Sequence, residues 1–467
     1  MQMGFFIASD RRREWFARSS YMTCAVPHAV PSIAATANSE SKKNKGRKMN
    51  VKKGRIVALL LLLILGVFVT TQAAFGQTAI NVLGTWGGSE LEIFQKIADA
   101  AGVKVNFNTT RELDAALTTA VQTNNMPDIA ILPNPAKLQE LAKQGVLKPL
   151  TYMPQSDLKN YEQTWIDLGS YGGKLYGVYF KVANKSVVWY NPKTFKANGW
   201  TVPKTWNELL ELNKKIVASG KTPWSIGADI GWPLTDWVEN IMVRTAGPDV
   251  YAKWYNHEIP WTDPKVKEAF MTWGQIVGNP KNLAGGISGT LDATNTFQNA
   301  AIAVFQENPK AYMYYEGDFI GGIVTSMLPN VKPGVDIDFF AFPPINPEFG
   351  TPVVGGADVF VAFSDKPEVQ KLMKYIASVE GNTLAAKNGF LSQNKAVPLS
   401  AYPNDTLRNS AKILTSAKVY VFDASDMMPS AVGNQGGFWD KCKEFLANPA
   451  KIDTILAEME KLAQQNY

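Results

Sequence analysis

A tryptophan sits inside a glycine-rich turn at Gly84-Thr85-Trp86-Gly87-Gly88, directly after a short apolar run. A ring of this kind offers a flat apolar face with polar edges, and glycine lets a ligand approach the backbone closely. A second group of similar make-up is Gly231-Trp232-Pro233-Leu234-Thr235-Asp236-Trp237, with two tryptophans and a carboxylate at a loop-to-helix transition. Sugars match this chemistry: their C–H faces stack on rings and their hydroxyls pair with Asp, Glu or Asn. Paired acids near aromatics also describe glycosidases, which hold two carboxyl groups about 5–9.5 Å apart around one bond. Glu316/Asp318 and Asp423/Asp426 are such pairs by sequence, yet solvated loop acids explain them equally well. The reading taken is therefore a binding site with no catalytic residues. A site for an anion or polyamine would need clustered cations or acids, and these positions are instead mixed and aromatic.

The elements that must position these residues follow a β-α rhythm from Ala79 onward. Ile80, Val82 and Leu83 make a strand that ends in the Trp86 turn. Ser89 and Glu92 read as a capping box, and Leu91, Phe94, Ile97, Ala98 and Ala101 share one helical face. Val103, Val105 and Phe107 alternate as a second strand, and Asp128–Leu132 is a third, followed by Pro133-Asn134-Pro135. Strands separated by helices imply parallel pairing. In such sheets ligands lie beyond the carboxyl ends of the strands, where Gly84–Gly88 and Pro133–Pro135 both fall. The stretch Gly172–Pro192 holds two β-rich runs around Lys181-Val182-Ala183-Asn184-Lys185, a segment polar enough to leave a core. It is read as the crossover from one α/β lobe to another. Beyond it, Thr205 and Glu208 form a further capping box, and Phe297–Asn308 reads as a helix plus strand. Asp338–Pro343 and Val359–Phe363 read as strands, and Asn388–Asn394 as a third crossing.

Among the 467 residues the formal net charge of +6 misleads, because 12 Lys+Arg against 3 Asp+Glu fall in residues 1–76. The remainder carries 35 against 38, near −3, which removes the main support for a nucleic-acid partner. Lys52, Lys53 and Arg55 precede the apolar run Ile56–Val69, and Ala74-Phe75-Gly76 supplies small residues for cleavage. That is a signal-peptide pattern over 49–76, too short to span a bilayer comfortably, and it puts the mature start at Gln77. Residues 1–48 are read as a non-native or unstructured extension. Past the leader only Cys442 and His257 remain of their types, so no internal disulfide can form. A His-based metal site or triad lacks donors, and neither metal nor cofactor is expected. No cysteine adjoins the cleavage site, which favours a diffusible periplasmic protein over a lipid-anchored one.

Taken together, GTWGGSE (84–90), PDIAILPNP (127–135), KLYGV and SVVWYNP (within 174–192), TDWVENIMVRTAGPDVY (235–251), DFFAFPPI (338–345) and FDASDMMP (422–429) carry a family resemblance. The chain resembles the extracellular solute-binding proteins of sugar ABC importers, the maltose-binding-protein type, and among them the α-glucoside-binding members. The resemblance covers Ile80–Leu462. It implies an α/β fold of two lobes with a three-segment hinge and an interlobe cleft. Lobe 1 would hold 77–181 and 346–390, and lobe 2 would hold 186–342 and 395–467. The hinge would lie near Lys181–Lys185, Phe342–Pro347 and Asn388–Lys395. By the same resemblance, ligand contacts fall on Trp86, Gly87, Glu90, Asn134, Asn184, Gly356 and Asp358. The second lobe would add Trp232, Asp236, Trp237, Glu316 and Asp426. Many relatives place a carboxylate at the crossover, where this chain has Lys181 or Asn184. The implied partners are an oligosaccharide and the ABC permease subunits in the inner membrane, with the protein a monomer and not an enzyme.

Overall fold

The computed structural model describes residues 78–467, so the expected extension and signal peptide lie outside the described residues. Ile80–Gly84 (β1) turns Ile80 and Val82 inward and Asn81 outward, the alternation of a half-buried strand. Gly88–Ala100 (α1) follows, burying Phe94, Ile97 and Ala98. Its N-cap is Gly87, without a side-chain cap. The expected capping box does not form, because Ser89 already lies inside the first turn. Val105–Thr109 (β2), Leu113–Gln122 (α2), Ile129–Leu132 (β3) and Pro135–Lys143 (α3) complete the first β-α series. The pairings β1–β2 and β1–β3 are parallel, as the alternation requires. Every residue of β3 is buried, which explains its unbroken apolar run.

Gly177–Asn184 (β4) is buried along its whole length, and Val187–Tyr190 (β5) begins three residues later in another sheet. The lysine-bearing segment, read as polar enough to leave a core, is thus buried strand through Asn184. Ion pairs, described below, make the burial of Lys181 tolerable. Next come Trp224–Ser225 (β6), Trp232–Ala246 (α4), Phe297–Phe305 (α5), Met313–Tyr315 (β7), Ile320–Met327 (α6) and Asp338–Ala341 (β8). The strand expected directly after Phe297 is displaced to β7. The Thr205 cap forms as expected, with Thr205 Oγ1 accepting from the Glu208 N–H at 3.2 Å. Val353–Ala362 (β9) then returns to the first sheet, and Pro367–Ala377 (α7) and Val379–Asn388 (α8) follow it.

The first sheet runs β10-β9-β3-β1-β2, where β10 is Tyr420–Phe422, and β4 pairs antiparallel with β9. The second runs β8-β5-β7-β6. Both are covered on two faces. Phe94, Ile97 and Phe360 pack on one face of the first sheet and Leu117, Leu138 and Tyr179 on the other. In the second sheet Val188 and Tyr315 face one core, and Trp189 and Tyr314 face another. The chain therefore passes between lobes after Asn184 and between Ala341 and Val353. The third crossing, expected at Asn388–Lys395, is different. Because β10 pairs parallel with β9, while Ala424, Met428 and Val432 sit in the core of the second lobe, we place it just after Phe422. No helix among the described residues is long and apolar enough to cross a membrane.

Candidate functional site

A cleft of about 880 Å³ lies between the two sheets' lobes, at the carboxyl ends of β1 and β3. Trp86, Glu90, Asn134, Gly356 and Asp358 line it from the first lobe, and Trp232, Asp236 and Asp426 from the second. Eight of the twelve expected residues thus share one cavity. Gly87, Asn184, Trp237 and Glu316 do not line it.

Trp86 is not the open stacking ring that its glycine-rich turn suggests. It is 2% exposed, with ring centroids 5.7, 5.6 and 5.4 Å from those of Phe94, Phe360 and Phe390. Its indole N–H donates to Asp358 Oδ2 at 3.1 Å, so the ring is wedged in core while one edge meets the cleft. The same Asp358 oxygen lies 3.3 Å from Lys181 Nζ, which is also paired with Glu90. Burial pushes the Lys181 ammonium down, but Glu90 and Asp358 outweigh it and hold the group above its ordinary value. Asn134 Oδ1 caps α3 by accepting from the Lys137 N–H at 3.0 Å. Gly87 is exposed at the mouth of α1 and takes no part in the lining.

In the second lobe α4 starts at Gly231, whose φ of 103° is left-handed, and a Cβ there would sit 2.9 Å from the Trp439 carbonyl oxygen. Glycine therefore sets the helix start that presents Trp232. Asp236 lies one turn on, so both share the cleft face. Trp232 sits edge-on to Phe297 at 5.1 Å, and Lys185 Nζ stands 5.1 Å from the Trp232 ring centre. Trp237 points about 100° around the helix from Asp236, into the core. There it packs 4.9 Å from Trp224 and 4.5 Å from Tyr315. Its expected ligand role is corrected: it is 1% exposed.

Lys185 is the cation of a deeply acidic floor. Its Nζ pairs with Asp423 and lies 3.3 Å from Asp236 Oδ1. Glu239, Glu316 and Asp426 complete the group, and burial raises the carboxyls of all five acids, Asp423 to about 7. Glu316 is fully buried, with Oε2 accepting from the Gly317 N–H at 2.9 Å, so it supports the floor from beneath. Carboxylate oxygens of Asp236, Glu239 and Asp423 lie within 4.8 Å of one another, a spacing that could hold a cation. The Lys185 ammonium already pairs with two of those acids. Asn184 is structural: its N–H donates to Asp318 Oδ1 at 2.6 Å, and its Oδ1 accepts from Ser186 N–H at 3.0 Å.

Residues not expected at the site are Arg111, Lys185, Phe297 and Phe319, which all line the cleft. Two lysines inside an otherwise apolar strand run were the available signal for Lys181 and Lys185. Arg111, in a polar loop, carried none. It reaches from the first lobe to Asp229 and Gln298 of the second, at 3.1 Å each.

The family model for bacterial extracellular solute-binding proteins matches residues 87–383. The chain belongs to that family. It is 37% identical over 378 residues to the osmoprotective compounds-binding protein GgtB of Synechocystis sp., covering 79% of this chain and 88% of GgtB. The alpha-glucosides-binding periplasmic protein AglE of Rhizobium meliloti is 33% identical over 406 residues, covering 83% of this chain and 87% of AglE. Among solved structures, the bacterial solute receptor AcbH, described as preferring β-D-galactopyranose, superposes with a TM-score of 0.70 at 22% identity, covering 84% of this chain and 99% of AcbH. This solute-binding protein thus has the two-lobed fold of such receptors.

Proposed function

We propose that this protein binds an α-glucoside or similar oligosaccharide between its lobes and delivers it, as a diffusible periplasmic monomer, to the permease of an ABC importer. The observation that carries this reading is the composition of the cleft. An aromatic ring, Trp232, stands beside Asp236 and Lys185, and across about 880 Å³ it faces Glu90, Asn134, Lys181 and Asp358. Such a site stacks a pyranose and offers both acceptors and donors to its hydroxyls. AglE's binding of alpha-glucosides supports the cargo class, and GgtB's name extends the candidates to osmoprotective compounds. The two lobes move about Lys181–Lys185, Phe342–Pro347 and the segment after Phe422.

Hydrolysis is disfavoured by the placement of the acids. Of the pairs suggested by sequence, Glu316 and Asp423 are fully buried, and each pair retains one acid that cannot flank a bond in the cleft. Incubation with maltose or trehalose should leave both sugars intact; turnover of either would reverse this assignment. A ligand bound only by the folded state adds about 2.7 kcal/mol at a hundredfold excess over its dissociation constant. For the 391 residues after position 76, that corresponds to a rise of roughly 3 °C in unfolding midpoint. A broad saccharide panel that produces no shift would remove the sugar reading.

A further inference from the structure

A second chamber of about 400 Å³ adjoins the cleft between the same lobes. Glu90, Lys181 and Phe319 line both spaces, so these three side chains are the wall between them. The wall is an ion pair set among rings. Lys181 Nζ is paired with Glu90 and lies 5.4 Å from the Phe319 ring centre and 5.5 Å from that of Phe390. Only 10% of the Lys181 side chain and 21% of the Glu90 side chain are exposed. Displacing Lys181 would leave Glu90 and Asp358 as partly buried acids without a counter-ion, a costly arrangement. Beyond the wall the half-buried Phe339 ring stands beside Thr325, Asn388 and Asn404, while Trp189 lies packed behind Phe339 in the core. The floor is open at α6, where a Cβ on Gly322 would meet nothing within 4 Å.

We propose that the Lys181–Glu90 pair is a length selector: it ends the binding site at the main cleft and keeps longer saccharides from entering the second chamber. This rests on the sugar reading above. A ligand that fits the main cleft leaves the ion pair intact, whereas a longer chain must break it to continue. Removing the lysine head group joins the two chambers into one groove whose far end offers Phe339 and the polar side chains of Thr325, Asn388 and Asn404.

The test is calorimetric titration of the full chain and of Lys181→Ala and Lys181→Met with maltose, trehalose, maltotriose and maltotetraose. Lys181→Met keeps an unbranched apolar stem against Phe319 and Phe390, and serves if the alanine variant folds poorly. The unmodified protein is expected to bind its best disaccharide at least tenfold more tightly than maltotetraose. Either variant should reduce that preference at least tenfold. If the unmodified protein binds maltotetraose as tightly as the disaccharide, the selector is refuted. It is equally refuted if both variants weaken all sugars in proportion, since Lys181 would then be a plain ligand contact. In both cases sugar binding itself stands. Binding of no saccharide by the unmodified protein would instead remove the sugar reading and the selector with it.

Discussion

Trp232 and Trp237 stand on one helix and do different work, because adjacent helical positions point about 100° apart. Trp237 is packed among Trp224, Tyr315 and Phe342. Trp237→Ala should cost about 3–5 kcal/mol of stability, the usual loss for a buried ring, read as a lowered denaturant midpoint. Trp232 is half-buried at the cleft, so Trp232→Ala should weaken sugar binding at least tenfold while the midpoint barely moves. A Trp237→Ala protein as stable as the parent would contradict this division. The acids make a second residue-scale statement. Burial raises the carboxyls of Asp318 and Asp423 to about 7, against the opposing pull of the Asn184 N–H on Asp318 and of Lys185 on Asp423. Unfolded, both titrate near 4. Between roughly pH 4 and 7 the folded state holds protons that the unfolded state releases, so stability is full below that window and falls as pH rises through it. Acids of the opposite kind, such as Asp128 and Glu460, lose their contribution only below about pH 4. The thermal midpoint should therefore be higher at pH 5 than at pH 8, and Asp318→Asn should narrow the gap. Equal midpoints at the two pH values would show that these acids are not buried as described.

At the scale of elements, the start of α4 hangs on one backbone angle. Gly231→Ala forces a Cβ against Trp439 and Lys443 from a left-handed conformation. It should cost more than about 1 kcal/mol and lower ligand affinity by misplacing Trp232; an unchanged denaturant midpoint would argue against that geometry. The β-α alternation of residues 80–143 was legible because each apolar run and each helical face repeats with its own period, and β1, β2 and β3 lie where those periods put them. The β4 segment was legible only in part. Lys181 within it and Lys185 just past it look too polar for a core until the distant acids Glu90, Asp358 and Asp236 are known to neutralise them. The third crossing was misplaced for a related reason: the short strand Tyr420–Phe422 earns its place by pairing with Val353–Gly355, a long-range contact that local pattern does not report. The loops that directly follow strands and bear Trp86 and Asn134 line the cleft, as their position after β1 and β3 suggests. Helical Trp237 and buried Glu316 were misassigned, since neither residue type nor spacing says which way a side chain turns.

At the scale of the whole molecule, two doubly covered sheets share a cleft that both must line, and closure follows if ligand binds the closed arrangement better than the open one. Arg111 bridges the lobes to Asp229 and Gln298, and Asp114 Oδ2 accepts from Asn434 Nδ2 at 2.7 Å. The Arg111 side chain is 42% exposed, so its ion pair contributes about 0.2–1 kcal/mol. Arg111→Ala should accordingly weaken ligand binding by no more than about fivefold, measured by titration; a loss of a hundredfold or more would make Arg111 a direct ligand group instead. The central claim is that a carbohydrate is held between the lobes against Trp232. The most direct measurement is calorimetric titration of the full chain and of Trp232→Ala with a panel of α-glucosides from disaccharides upward. Saturable binding of one sugar per chain, lost or weakened at least tenfold in Trp232→Ala, is the predicted result. No binding by the unmodified chain, or equal binding by both proteins, would contradict it.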